Sequence, residues 1–507
     1  MRWTRHARVL TAAGALFAAG CNDQLPTDLN PGMQAAKQPS PLKVTPSQIN
    51  FLAVGGTATL SVTPGPSSET VAVTVSTPAC VSVSNKSVQK NQTKFTVTAT
   101  AAGSCTLTVS DGSSNVAVPV TVPGSSLVAG TLAAGVFHTC GLTANGAAYC
   151  WGFNGAGQLG NATTAGSTTA NPTPEAVVGG IAFASLTAGF QHTCGLTSAG
   201  VAYCWGDNTY GQLGNSANVG VQFQENPTPL LVDGNLTFTV LEAGVDHTCG
   251  LTAQGVMYCW GNNRLGQLGT ATNNLTTTPN QTPTAVPGGL TFIGIAGGTL
   301  HTCGIATGGS VYCWGENTKG QLGNSTDIGQ ENVPHPTPVL VQGLPALVSL
   351  DAGGYHNCGL TSAGAAWCWG DNFVGHLSGT TDPVSATPVA VSGGLVFTSI
   401  DVGGGQSCGL TSAGTMYCWG GNLLGQLGTS TNFGTNNPNY SPIAVSGLTF
   451  ATIAANSAHT CGVTAAGQAW CWGFNRYGQL GNTTNNDTDT GVPTPTAVIG
   501  GLVFVTP

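Results

Sequence analysis

A fifteen-residue segment that returns seven times constrains this chain more than any other feature. HTCGLTANGAAYCWG begins at His138, and close variants begin at His192, His247, His301, His356, Gln406 and His459. The first cysteines of successive copies stand 50 to 55 residues apart. A catalytic constellation normally occurs once per domain, whereas a structural unit recurs. This period is too long for a leucine-rich or ankyrin unit and suits a multi-stranded propeller blade.

Each copy reads as a β-hairpin. Glycine stands six residues after the first cysteine, at 146, 200, 255, 309, 364, 414 and 467. A three-residue hairpin loop needs a left-handed residue at its last position, which glycine adopts without steric cost. Centring the hairpin on Asn145 sets Cys140 directly opposite Cys150, close enough for a disulfide. The same register pairs Cys194 with Cys204, Cys249 with Cys259, Cys303 with Cys313, Cys358 with Cys368, Cys408 with Cys418 and Cys461 with Cys471. Each bridge closes an eleven-residue ring, contributing about 2.8 kcal/mol by chain entropy, an upper figure because a hairpin is already partly local when unfolded. Of the 17 cysteines, Cys80 and Cys105 remain as an eighth pair, and Cys21 is left over. Tyr149 and Trp151 alternate with Cys150, so they occupy the opposite sheet face and are expected to pack between blades.

Beyond the hairpin, each unit continues through a variable polar loop into a PTPxxV-like strand and a GGLxFxxLxAG-like strand, as in NPTPLLVDGNLTFTVLEAG from 226 to 244. That gives four strands per blade. The chain enters at LVAGTLAAG and leaves at PTPTAVIGGLVF, so sequence units and blades are offset. The C-terminal segment is expected to complete the first blade and remove free sheet edges.

The longer pattern AGxxHTCGLTxxGxxYCWGxNxxGQLG, from Ala243 to Gly269, resembles the repeat of the regulator of chromosome condensation family. GQLG closes every copy except one, which has GHLS at 375–378. The resemblance implies a seven-bladed β-propeller over residues 127–507. The cysteines are additions to the family's eukaryotic pattern and look like a bacterial, exported variant.

The N-terminus agrees with export. MRWTRHARVLTAAGALFAAGC has Arg2, Arg5 and Arg8, an apolar run to Ala19, then Gly20 and Cys21, which is the layout of a secretory signal. It resembles a bacterial lipoprotein signal, with residues 1–20 removed and Cys21 lipidated. Ala18 stands where that pattern usually has leucine, and the other reading is an ordinary signal peptide with a free cysteine nearby. Residues 21–41 are polar and proline-containing and read as a tether. An oxidising space keeps paired cysteines oxidised. No second segment approaches eighteen apolar residues, so none is expected to span a membrane. Residues 42–123 change to short alternating strands, enough for a small antiparallel β-sandwich. They resemble bacterial immunoglobulin-like modules. The expected fold class is therefore all-β, a seven-bladed β-propeller behind a small immunoglobulin-like sandwich.

Candidate chemistry is sparse. Six copies carry a histidine two residues before the first cysteine, and a ring of histidines invites a metal reading. Blade-related positions are too far apart to share one ion, because coordination needs donors at about 2.0 to 2.1 Å. The expected role is structural. Asp487, Asp489 and Gly491 are a fragment of a calcium-like pattern that reads better as an acidic loop tip. Nucleophile-elbow and phosphate-loop motifs are missing, and neither a metal nor a cofactor is implied. From Leu127 onward three basic residues face fifteen acidic ones, a formal charge of −12. Nucleic-acid binding draws its affinity from basic contacts with phosphate, so no nucleic-acid partner is expected.

The copies differ at two residues before each GQLG and at the residue after each CWG. Large apolar or aromatic residues at these places, Phe153, Tyr210, Leu265, Val374, Leu424, Phe474 and Tyr477, are candidate interface anchors. Unconstrained loop drift is the alternative reading of the same variation. Asparagine follows the variable CWG residue in all seven copies, which suits a turn.

The reading is a non-catalytic propeller binding a protein or glycan partner at an outer membrane or cell surface, held there by a lipid anchor only. Exported bacterial propellers of the resembling fold family that inhibit β-lactamases imply that such a surface can bind proteins. The alternative is an exported lyase or glycosidase with acidic residues at the propeller mouth, for which two carboxylates about 5 to 9.5 Å apart in one pocket would be the sign.

Overall fold

The computed structural model describes residues 42–47, 49–50, 57–64, 71–75, 81–89, 92–99, 103–122, 131–221 and 224–506. The expected signal and tether with Cys21, and Cys80, lie outside these residues. Among the described residues no helix is long and apolar enough to cross a membrane.

Residues 42–122 form two four-stranded sheets around one core. Leu60, Val62, Phe95 and Val97 of one sheet meet Leu107, Val109, Val118 and Val120 of the other. One strand departs from the expected antiparallel pattern. Lys43–Thr45 pairs in the first sheet, whereas Ile49–Asn50 pairs parallel to Val120 and Thr121 in the second. The chain changes sheet across Pro46 and Ser47, a corner that lets one strand serve both layers. Cys105 is disulfide-bonded.

The rest of the described chain forms seven four-stranded antiparallel sheets. Blade 1 runs outward through Leu132–Ala134, His138–Leu142, Ala148–Gly152 and Asn171–Ala176. Blade 7 runs through Thr452–Asn456, His459–Val463, Ala469–Gly473 and Val492–Ala497. All seven blades are contiguous in sequence, so closure involves no exchange of a full strand. The tail closes the ring instead: Phe504 bridges Thr143, and Val505 N–H donates to the Leu142 carbonyl at 2.9 Å. The Phe504 ring covers Gly141, where a Cβ would lie 2.6 Å from it. Phe183 covers Gly195 of blade 2 in the same way.

The hairpin register is the expected one. Cys140 pairs with Cys150 and Cys194 with Cys204, and all seven hairpins are bridged with Cα separations of 4.0 to 4.1 Å. Because side chains alternate along a strand, the bridge and the following tryptophan take opposite faces. The bridge of each blade therefore meets the tryptophan of the next. Cys140 and Cys150 share a buried cluster with Trp205, Cys194 and Cys204 with Trp260, and Cys461 and Cys471 with Trp151, closing the ring. All seven of these tryptophans are fully buried.

One backbone carbonyl orients each tryptophan. Trp205 Nε1 donates to the Gln158 carbonyl at 2.9 Å, and the Thr193 hydroxyl donates to the same oxygen at 2.9 Å. The arrangement recurs at all seven interfaces, with Asn357 and Ser407 standing in for threonine in blades 5 and 6. The GHLS departure keeps this role, because a backbone carbonyl, here that of His376, is what accepts.

Candidate functional site

The loop between the first and second strands and the loop after the third strand emerge at the same end of every blade. Glycine makes the first of these loops possible. A Cβ at Gly135 would lie 2.3 Å from the His138 ring, so only glycine lets the histidine fold back beneath it. Gly152, with φ 109°, ends the third strand against the Phe137 carbonyl. The turn it allows brings Phe153 N–H to that carbonyl at 2.9 Å. All seven blades repeat this bond at 2.8 to 2.9 Å, so the residue before the histidine position and the residue after CWG always stand side by side. The next residue, Asn154 in blade 1, braces the loop: its Oδ1 accepts Leu159 N–H, and its Nδ2 donates to the carbonyls of Asn161 and Thr163. The expected turn asparagine is thus the buried pin of the loop.

The histidines connect blades. His138 Nε2 meets Thr193 Oγ1 at 2.8 Å, His192 meets Thr248, His247 meets Thr302, His301 meets Asn357, His356 meets Ser407, and His459 meets Thr139. Each threonine hydroxyl already donates to a carbonyl, so it accepts from the histidine, which assigns the proton to Nε2. Burial holds these imidazoles neutral, with His138 and His192 lowered to about 3. A ring nitrogen spent on the next blade is not a metal ligand. In blade 6, Gln406 donates instead to the carbonyls of Asn456 and His459. His376, in place of a GQLG glutamine, stacks on His356 with ring centroids 4.0 Å apart.

Acidic residues of the inner strands face the propeller axis. Asp351 accepts Val402 N–H and Asp401 accepts Ala455 N–H of the next inner strand, as the Thr187 hydroxyl accepts Ala243 N–H. Burial pushes Glu242, Asp351 and Asp401 up. Asp351 and Asp401 are engaged in holding neighbouring strands together. Asp489, of the calcium-like fragment, is ion-paired with Arg476 at 2.6 Å.

The seven expected anchors do not form a uniform ring. Phe153, Phe474 and Tyr477 come together at the junction of blades 7 and 1, joined by Phe137 and Phe190. The closest ring centroids, Phe153 to Tyr477, are 4.9 Å apart, and Phe137 lies 5.3 Å from Tyr477 and 5.5 Å from Phe190. All five rings are half-buried. Tyr210 and Leu265 border a cleft of about 500 Å³ across blades 2 to 5, with Arg264, Glu316, Lys319 and Tyr355. Leu265 corrects the expectation of an exposed anchor, being only 4% exposed.

The cause is general to this position. The residue directly before GQLG has its N–H capped by the glutamine side chain, as in Leu265 N–H to Gln267 Oε1, and the Leu265 carbonyl accepts from the next blade, from His335 N–H. It is held between blades. Leu424 N–H is capped by Gln426 in the same way, and Leu424 and Val374 are half-buried, while the preceding Leu423 and Phe373 are 47% and 75% exposed. Phe137, Phe190 and Tyr355 were not among the expected anchors. Their signal was available, since the two residues before each histidine position vary as freely as those before GQLG.

Burial raises the carboxylates on this face. Asp246 is pushed up to about 7, with Asp207 adding to the shift, and Glu316 and Asp371 are raised as well.

Comparison with known proteins agrees with this architecture. Residues 145–196, 199–251, 254–305, 308–360 and 466–505 match the regulator of chromosome condensation (RCC1) repeat, and a second form of that repeat matches seven segments between 131 and 479. The chain is 32% identical over 215 residues to the ultraviolet-B receptor UVR8 of Arabidopsis thaliana, covering 42% of this chain and 46% of that protein. It is 29% identical over 241 residues to the human E3 ubiquitin-protein ligase HERC2, covering 46% of this chain and 5% of that protein. The matched region thus spans less than half the length of these curated relatives. Among solved structures, yeast RCC1 (Prp20) bound to Kap60 superposes with a TM-score of 0.61 at 21% identity, covering 72% of this chain and 86% of that one. Human WBSCR16 superposes at 0.56 and 22% identity, covering 64% and 84%. These two likenesses concern the fold alone.

The histidines set a pH dependence. A group whose folded pKa is lowered binds its proton less tightly in the folded state, so stability falls as pH drops from 6.5 towards the folded value. The raised carboxylates act with the opposite sign, gaining stability as pH falls from about 7. Comparing one variant with its parent isolates the histidine term. His192→Gln adopts the residue of blade 6, and its melting temperature should fall less than the parent's between pH 7 and pH 5. Equal falls in the two proteins would contradict the assignment of a neutral, buried His192.

Proposed function

The chain belongs to the regulator of chromosome condensation repeat family, and on that footing we propose that it is an exported, non-catalytic propeller that docks a protein partner on its loop face. The aromatic group at the junction of blades 7 and 1 carries this reading. Phe137, Phe153, Phe190, Phe474 and Tyr477 pack on one another in a chain of ring contacts and are only partly buried. Side chains of these types, gathered in one patch rimmed by polar loops, have the composition of an interface hot spot. Binding is also what the solved yeast relative does with Kap60, although that partner is not carried over. Asp351 and Asp401 do not favour the enzyme reading as a carboxylate pair, because both already bond the adjacent strands.

Export rests on the seven bridges, which persist in oxidising compartments. Attachment to the outer membrane or cell surface through Cys21 rests on the N-terminal sequence alone. Cys21→Ala should release the protein from the membrane fraction without altering its melting temperature, and retention in the membrane would count against the lipid.

Phe153→Ala and Tyr477→Ala should each weaken capture of the protein recovered from envelope extract by about 1 kcal/mol or more, with little change in the folding transition. Lost stability with undiminished capture would mean that these rings serve the core and that the docking site lies elsewhere.

A further inference from the structure

The propeller carries three basic side chains. Arg476 is paired with Asp489. Arg264 and Lys319 are exposed, and among the described residues neither lies within ion-pairing distance of a carboxylate. The Arg264 guanidinium donates to the neutral Asn332 side chain at 3.0 Å. Both uncommitted cations line the same cleft of about 500 Å³, although the domain has a formal charge of −12. Two exposed cations without an ion-pair partner, side by side in an otherwise acidic surface, offer an anionic group a direct contact even though Glu316 and Glu331 share the lining.

The remaining lining narrows the class. Tyr210 and Tyr355 present aromatic rings, and Tyr355 is 36% exposed. Asn262 and Asn332 also line the cleft. Glu316 is 9% exposed, its Oε1 accepts the Thr318 hydroxyl, and its Oε2 has no donor in the protein. With Glu331 also in the lining, two cations face two carboxylates. That balance disfavours a densely charged polyphosphate or nucleic acid. It suits widely spaced carboxylates on a neutral, hydroxyl-rich body whose flat faces stack on tyrosine. A peptide docked through its backbone or an apolar face would call for a free strand edge or an apolar groove, and the volume is that of a small-ligand site.

We propose that this cleft binds an acidic oligosaccharide, with Arg264 and Lys319 taking a uronate carboxylate and Tyr210 and Tyr355 stacking on sugar rings. This site is separate from the aromatic patch of blades 7 and 1, so either can fail without the other.

The test is calorimetric titration of the full chain with three probes: trimers of galacturonate, glucuronate and mannuronate, each beside its methyl ester. At least one trimer should bind, and its ester, which keeps the rings and removes the charge, should bind at least tenfold more weakly. Arg264→Gln and Lys319→Gln should each cost about tenfold or more with unchanged melting temperatures, whereas Phe153→Ala should leave binding intact. Absence of binding by all three uronates overturns the proposal. So do equal binding of acid and ester, indifference to both substitutions, or binding of a glutamate-rich peptide in place of the sugars.

Discussion

Each blade of this propeller is joined to the next by a core that holds its disulfide together with the next blade's tryptophan. The bridge fixes the width of a hairpin, and the tryptophan one position later leaves the opposite face. A single sequence, CWG, therefore supplies both halves of an interface, one to each side. The carbonyl that accepts both the indole N–H and the threonine hydroxyl sets the ring's orientation. A phenylalanine ring lies beside the tryptophan at six of the seven interfaces, as Phe183 does beside Trp205 with centroids 5.6 Å apart. A histidine bond to threonine, asparagine or serine of the next blade adds a second tie at six of the seven interfaces, and blade 6 shows that glutamine can stand in its place by finding backbone acceptors.

The loop face depends on that frame. Each strand end is pinned by the bond between the residue after CWG and the residue before the histidine position, and each long loop is pinned by the asparagine that follows. Because the pins are backbone groups and one invariantly placed amide, the side chains between them are free to vary. Blades 7 and 1 gather aromatic rings, and blades 2 to 5 gather the two uncommitted cations with two tyrosines. The chemistry of the face thus changes from sector to sector while its geometry repeats.

Much of the fold could be read from the repeats. Hairpin register, cysteine pairing, four strands per blade and the interblade place of Trp151 follow from local periodicity and glycine placement, which act over a few residues. The closure of the ring was less legible, since the last outer strand stays in blade 7 and only Phe504 and Val505 reach blade 1. That choice is made by packing on Gly141 rather than by strand pattern. The site was legible in part. Phe153, Phe474 and Tyr477 were expected and do converge, but Leu265 is buried because its position is bonded between blades. Which residue of a variable pair faces solvent is decided by bonds to the neighbouring blade, and no local pattern reports those. Phe137 and Phe190 belong to the patch through contacts between loops distant in sequence.

The central claim, that tryptophan and disulfide support one another across each interface, is tested most directly by a double-mutant cycle on Trp205 and the Cys140–Cys150 bridge. Unfolding free energies would be measured for Trp205→Phe, for the paired change Cys140→Ala with Cys150→Ala, and for the combination. Contact between the two predicts a coupling of about 0.5 to 3 kcal/mol, with the combined loss differing from the sum by that amount. Losses that add within about 0.3 kcal/mol would mean that the bridge and the indole act independently, and that the blades are held together by something else.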